Sequence, residues 1–476
     1  MNDGWRERAA GLGAEVETAD FGDERLRKRA VRLMTSLAAE PDKSLPAALK
    51  TDAALEAAYR FFNNEAVTPE KVLAPHAEAT LARMKAHDVV FAVSDTSTMS
   101  FAPDGKRQGL GRVRSTGQAF FAHVTLAVAA DGTREPLGVL AMSSHVRPPL
   151  KVRRIKKTKN KKRAPNEKDR WDDQARRVSE MVDGKRVIYV ADREADDYRF
   201  MAGLLARGDR FIIRVRHDRL LVPDSKQPAS SVEGALREVR VQAEREVQLS
   251  RRPKAGRSPV QLKGHPAREG RPARLAVGAT RVTLKRPETQ EKHLPSELRV
   301  NVVRVWEPEP PAGEACVEWT LITTEPSETA EQILAIVDGY RARWVIEEFF
   351  KALKSGCSFE KRQLESLEGL LNVLALYAPI AWELLRFRSE ARRAPEAPAT
   401  RVLSPMQIEV LRAFHHKPLP LALTSRDALL AVASWGGHLK RNGEPGWQTL
   451  RLGYELLIAR TEGWIAAKTP ARCDQS

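Results

Sequence analysis

KRVIYVADREADDYRFMAGLL, residues 185–205, changes character twice. Residues 187–191 form a continuous apolar run rich in β-branched and aromatic side chains, which reads as a strand buried on both faces. The acidic stretch DREADD follows, and apolar residues then recur at helical spacing. A buried strand thus runs into a helix, with Asp192 at the junction. Working outward, VVFAVSDTSTMSF (89–101), FFAHVTLAVAA (120–130) and EPLGVLAMSS (135–144) read as a three-stranded antiparallel meander, broken by DGK and DGT turn signals. Asp95 lies where the first of these apolar runs ends.

The chain has 476 residues, enough for two or three domains with a large core. Cys316, Cys357 and Cys473 lack the spacing of a disulfide framework or a zinc site. The N-terminus has no signal-peptide core, and the most apolar stretch, LLNVLALYAPIAW, is too short to span a bilayer. A cytoplasmic protein without a membrane partner is expected. Its 79 Lys and Arg against 62 Asp and Glu give a net charge of +17. Nine of the thirteen residues in KVRRIKKTKNKKR (151–163) are basic, which reads either as a contact for a polyanion or as a solvated charge run.

Residues 1–70 read as a small basic helical module. Residues 210–326 are strand-rich, interrupted by the basic, Pro- and Gly-rich segment 251–274, which reads as a loop. A long helix is expected from Thr329 to Lys354, and the chain is mostly helical beyond Leu364. Three meandering strands, a helix, a fourth strand and a later helix are the element order of an α/β, RNase H-like fold. Its chemistry sits at strand ends. An aspartate there is also an ordinary turn or cap residue, so Asp95 and Asp192 carry weight as a pair.

Within the long helix, YRARWVIEEFFKALK (340–354) places two adjacent glutamates among four basic residues. At about 100° per residue, Glu347 lies at the centre of a polar face with Arg343, Lys351 and Lys354, opposite Val345, Phe349 and Leu353. Glu348 falls on its shoulder. Arg343, Glu347 and Lys351 could simply form exposed ion pairs worth roughly 0.3–0.5 kcal/mol each. The two distant aspartates favour another use, since hard divalent cations take carboxylates and a pair of them supports phosphodiester displacement.

Tyr340, Arg343, Glu347 and Lys354 reproduce a Y-(2)-R-(3)-E-(6)-K spacing that resembles the signature of bacterial DDE transposases of the insertion-sequence-four type, the group containing the Tn-five transposase. The resemblance extends to DREAD at Asp192, SDTSTMSF at Asp95, EWTLITTEP before the signature, and GDERLRKRA and AAYRFF near the N-terminus. It implies a cut-and-paste transposase that works as a homodimer on double-stranded DNA, both transposon ends and target, in the bacterial nucleoid. Asp95, Asp192 and Glu347 are then the catalytic ligands of two Mg2+ ions, with Mn2+ as a substitute. Trp319 is the implied stacking partner of a flipped base, although a strand tryptophan is also an ordinary core residue. Tyr340, Arg343, Lys354 and Arg214 are implied phosphate contacts, and Arg25, Arg27, Lys28 and Arg29 are implied contacts to the end sequence. The 155-residue spacing from Asp192 to Glu347 implies a β-rich insertion at about 217–325. Domains at 1–70, 71–370 and 371–476 follow, the last carrying the dimer interface. The competing readings are an RNase H-like nuclease without strand transfer and a non-catalytic DNA-binding derivative.

Overall fold

The computed structural model describes residues 12–103, 107–113, 117–147, 167–182, 186–223, 230–252, 254, 266–439, 441 and 443–468. The basic run 151–163 lies outside them, as do 253 and 255–265 of the expected 251–274 loop, whose last four residues instead open a strand. The described strands are β1 (Val90–Phe101), β2 (Gly111–Val113), β3 (Gly117–Ala129), β4 (Pro136–His145), β5 (Val187–Ala191), β6 (Arg210–Arg214), β7 (Ala243–Leu249), β8 (Arg271–Lys285), β9 (Glu297–Trp306) and β10 (Glu318–Thr323). The chain divides into two compact units. One comprises Met1–Asp88, Asp95–Ala164 and Trp344–Ser476; the other comprises Val89–Ser94 and Pro165–Arg343.

In the second unit the first five residues of β1 pair in parallel with β5, Val90 opposite Val187 through Ser94 opposite Ala191. β5 pairs in parallel with β6, and β10, β9, β8 and β7 follow in antiparallel succession. The central runs Val90–Ser94 and Val187–Ala191 are buried throughout. That is why they read as unbroken apolar stretches: a parallel strand covered on both faces has no polar side to alternate with. The helix Tyr198–Arg207 links β5 to β6 and starts on Asp197, whose side chain accepts the N–H groups of Arg199 and Phe200. The expected β-rich stretch, 217–325, holds β7, β8, β9 and β10, with the short helix Val232–Arg237 packed on β8 and β9.

The helix Ala330–Arg341 opens with a reciprocal Thr329–Gln332 capping box. It lies so close to the sheet that a Cβ on Gly339 would sit 2.8 Å from Ile212 Cδ1 and 3.1 Å from the Phe91 ring. The expectation of one continuous helix to Lys354 is corrected here. The helix ends at Arg341, where the Ala342 N–H is shared among the carbonyls of Asp338, Gly339 and Tyr340 and the Arg343 N–H turns back to Tyr340. A new helix runs Trp344–Lys351 and widens into a π-helical segment, Ala352–Gly356. A single wheel therefore does not hold across 340–354, and Arg343, expected on an exposed polar face, is buried.

In the first unit β3 pairs antiparallel with β2 and β4. The N-terminal helices Glu24–Ala39, Leu45–Leu49 and Asp52–Phe62 precede the helix Pro69–Met84. Asn372 donates to the carbonyls of Phe62 and Val67, fixing the end of that module against the helix Leu367–Arg393. Among the described residues this helix alone is long and apolar enough to cross a bilayer, and 83% of its most apolar window is buried inside the protein. The helices Pro405–Phe414, Ser425–Trp435 and Trp447–Lys468 complete the unit. The last two cross backbone to backbone, and a Cβ on Gly453 would collide with the Val432 carbonyl oxygen.

Gly339→Val is expected to destabilise the protein by roughly 1–3 kcal/mol, because Ile212 and Phe91 cannot both retreat from the added methyls. Chemical denaturation would register this as a lower midpoint with an unchanged slope; an unaltered midpoint would contradict the close packing.

Candidate active site and nucleic-acid interface

The register of β1 against β5 fixes two carboxylates. Ser94 lies opposite Ala191, the last pair of that ladder, and the next residue on each chain is an aspartate, Asp95 and Asp192. β5 ends at Ala191, as expected. β1 does not end at Asp95; it continues to Phe101, and what stops at Ser94 is the fully buried run and the pairing with β5. Each aspartate is half-buried. Asp192 Oδ1 accepts the Glu194 N–H at 2.8 Å, capping the short 3-10 turn Arg193–Ala195. Asp95 Oδ1 accepts the Thr96 N–H at 2.7 Å, and Thr96 Oγ1 meets Nδ1 of the buried His123 at 2.9 Å.

The other aspartates of DREADD are structural. Asp197 caps a helix, and the buried Asp196 accepts the main-chain N–H groups of Arg216 (2.7 Å) and His217 (2.9 Å) while pairing with Arg219 at 2.5 Å. That buried pair pins the loop after β6.

On the helix Trp344–Lys351, Ile346, Phe349 and Phe350 form the buried face, and Glu347 and Glu348 are half-buried. Glu348 has a full set of partners. Its Oε1 accepts from Lys351 Nζ at 2.7 Å, and its Oε2 accepts from Arg388 Nη1 at 2.7 Å and Trp447 Nε1 at 3.1 Å. Burial pushes the Glu348 carboxyl up, but the Lys351 hydrogen bond and the Arg388 and Lys351 charges together outweigh it and hold it below its ordinary value. Burial, with Arg392 nearby, pulls the Arg388 guanidinium down to about 10. Lys354 Nζ donates to the Thr98 carbonyl on β1 at 2.6 Å and lies 3.7 Å from Glu360, which accepts the Ser100 N–H.

Tyr340 and Arg343 are buried in the second unit, the guanidinium 6.0 Å from the Tyr340 ring centroid. The same unit holds an open cleft of ≈ 430 Å³ that brings Trp319 and Arg214 together. Arg193, Arg216, His217, Arg237 and Arg304 also line it, so five arginines face three carboxylates, Asp218, Glu233 and Glu318. All three acids are engaged, Glu318 with Arg304 at 2.7 Å, Glu233 with Arg237 at 2.6 Å, and Asp218 as acceptor of the Glu233 N–H at 2.8 Å. Sequence reading missed Arg193 and Arg216, although both were within reach: Arg193 adjoins Asp192, and Arg216 follows Arg214 at strand spacing.

On the helix Glu24–Ala39, Arg25, Arg27 and Lys28 are exposed and paired with Asp23 or Glu24. Arg29 is half-buried and turned toward the Ala57 carbonyl at 3.5 Å, so it does not share their face. Arg32, also exposed, continues the stripe of Arg25 and Lys28 at helical spacing and was not singled out from the sequence. Among the described residues no group of three or more His, Cys, Asp or Glu side chains is arranged to hold a metal ion. The donor chemistry nonetheless fits a hard divalent cation, since Asp95, Asp192 and Glu347 offer only carboxylate oxygens.

Compared with known families, residues 9–67 match the model described as transposase DNA-binding, and residues 150–380 match the transposase DDE domain. The first match contains Arg25, Arg27, Lys28 and Arg29; the second contains Asp192, Arg214, Trp319 and the whole segment from Tyr340 to Lys354. Asp95 precedes the second match. A DDE domain has an RNase H-like core, in agreement with the mixed sheet and its flanking helices. Together the matches span more than half of the chain, which carries a transposase DNA-binding domain and a transposase DDE domain.

Proposed function

We propose that the chain is a cut-and-paste transposase of the insertion-sequence-four type that cleaves transposon ends and joins their 3′ ends to target DNA. The observation that carries this reading is the in-register pairing of β1 with β5, which is followed on each chain by an aspartate. Asp95, Asp192 and Glu347 would hold two magnesium ions, with manganese as a substitute. When bound, such ions activate an attacking oxygen and stabilise a leaving one in phosphodiester exchange.

The protein's own residues bind and orient DNA. The arginines around Trp319 draw a phosphate backbone into the cleft, and the half-buried indole offers a face on which an unpaired base stacks, worth roughly 1–3 kcal/mol. Hydrolysis at the transposon end frees a 3′-hydroxyl. That hydroxyl attacks the opposite strand to give a hairpin, a second hydrolysis opens it, and the hydroxyl then joins target DNA. Because each step exchanges one phosphodiester oxygen for another, positioning matters more than a protein nucleophile.

The helix Glu24–Ala39 contacts the end sequence through Arg25, Arg27 and Lys28, extended by Arg32. A second copy of the chain meets the last helix, Trp447–Lys468, where Leu452, Leu456, Ala459 and Gly463 leave an exposed stripe at coiled-coil spacing.

Asp95→Ala, Asp192→Ala and Glu347→Ala are each expected to abolish cleavage of end DNA while gel-shift affinity stays within a few-fold. Full activity in the Glu347 variant would sink its assignment. A strand-transfer assay with labelled ends separates a transposase from a pure nuclease, which yields no joined product. Trp319→Ala is expected to slow cleavage by roughly 5- to 100-fold, the kinetic equivalent of the lost stacking. Leu452→Glu with Leu456→Glu is expected to leave a single-end complex in place of a paired one, read by light scattering on end DNA.

A further inference from the structure

Glu347 sits on a helix of only eight residues that starts afresh after Arg343 and dissolves into a π-helical segment at Ala352. A helix this short does not hold itself; its rotation and register come from what it packs against. Its apolar face supplies part of that hold, and Glu348 supplies a polar part. The Glu348 carboxylate reaches two elements that are remote in sequence, Arg388 on the helix Leu367–Arg393 and Trp447 at the first position of the last helix.

The joint is tightly built. Arg388 is buried, its guanidinium stacks over the Trp447 ring at 4.5 Å, and its Nη2 donates to the Pro445 carbonyl at 3.1 Å. Glu444, one residue before that proline, pairs with Arg426 and lies 3.2 Å from Arg392. The approach to the last helix is thus clamped on several sides, and Glu348 is the clamp's connection to the helix that bears Glu347.

We propose that Glu348 is a positioning residue: by joining Trp447 and Arg388 to the helix Trp344–Lys351, it makes the setting of the Glu347 carboxylate depend on the seating of the last helix. The inference rests on the reading of Glu347 as a metal ligand. Because the last helix also carries the stripe assigned to a second copy, whatever moves the start of that helix reaches the metal site through this joint.

Manganese binding to the full chain in complex with end DNA, followed by the paramagnetic resonance signal of free Mn2+, tests this without relying on turnover. Glu348→Ala is expected to weaken Mn2+ affinity about 10-fold, the usual scale for losing a group that supports a ligand. Should that variant fold poorly, Trp447→Phe removes the indole N–H and leaves a smaller aromatic face for Arg388; about 3-fold weakening is expected there, with hydrogen exchange at 344–351 speeding up. Glu409→Ala provides the contrast, since it releases Trp464 and Lys468, at the far end of the last helix, from the helix Pro405–Phe414 and is expected to leave Mn2+ affinity unchanged. Native Mn2+ affinity in both Glu348→Ala and Trp447→Phe, with binding lost in Glu347→Ala, would overturn the positioning role alone. Native affinity in Glu347→Ala would overturn the ligand assignment beneath it.

Discussion

The parallel register between β1 and β5 is the constraint on which the candidate site depends. Side chains alternate along a strand, so a slip of one residue would send Asp95 to the opposite face and bring Ser94 or Thr96 into its place. The register is held by burial: Val90–Ser94 and Val187–Ala191 have no exposed face, and any shift would carry a polar neighbour into the sheet interior. The helix Ala330–Arg341 packs directly on this layer, close enough that only a residue without a side chain fits at Gly339, and it leaves the strands no room to slide.

Around that register, identical side chains are assigned different work by their partners. Of the three aspartates in DREADD, Asp197 is taken by a helix start and Asp196 by a buried arginine and two backbone amides, while Asp192 gives one oxygen to a turn. Glu348 is committed in the same manner as Asp196. Donors on two remote helices and from the next turn of its own helix hold it. A carboxylate so occupied would lose those bonds on turning to a metal. Packing thus commits Glu348 to the protein's own donors.

The strand at 187–191, the meander, the β-rich stretch and the helical ends were legible because each rests on local periodicity. Less legible were the features set by long-range contact. The break at Ala342–Arg343 has no Pro or Gly at its centre; a sequence good for helix is overruled where three carbonyls converge on one N–H. β1 runs past Asp95 because polar residues such as Thr96 and Ser97 suit a half-exposed strand as well as a loop. The cleft at Trp319 gathers Arg193, Arg216, Arg237 and Arg304 from four separated stretches, and no one-dimensional pattern joins them. Trp319 and Arg214 were singled out by resemblance rather than by spacing, and they do line one cleft.

The four basic residues between Tyr340 and Lys354 differ in how firmly the protein's own groups hold them. Arg341 lies 3.2 Å from Asp338, Lys351 is held by Glu348, and Lys354 donates to Thr98, while Arg343 is buried beside Tyr340. Exposed pairs of this kind are worth roughly 0–1 kcal/mol, so a phosphate that releases counterions can take such a cation at little cost. A buried guanidinium is different, because moving it out abandons its packing as well as its interactions inside the protein. Lys351, with over half its side chain exposed, can exchange readily, Lys354 and Arg341 with more loss, and Arg343 least of all. How readily this segment could turn to a polyanion therefore depends on how many of its cations can change partners.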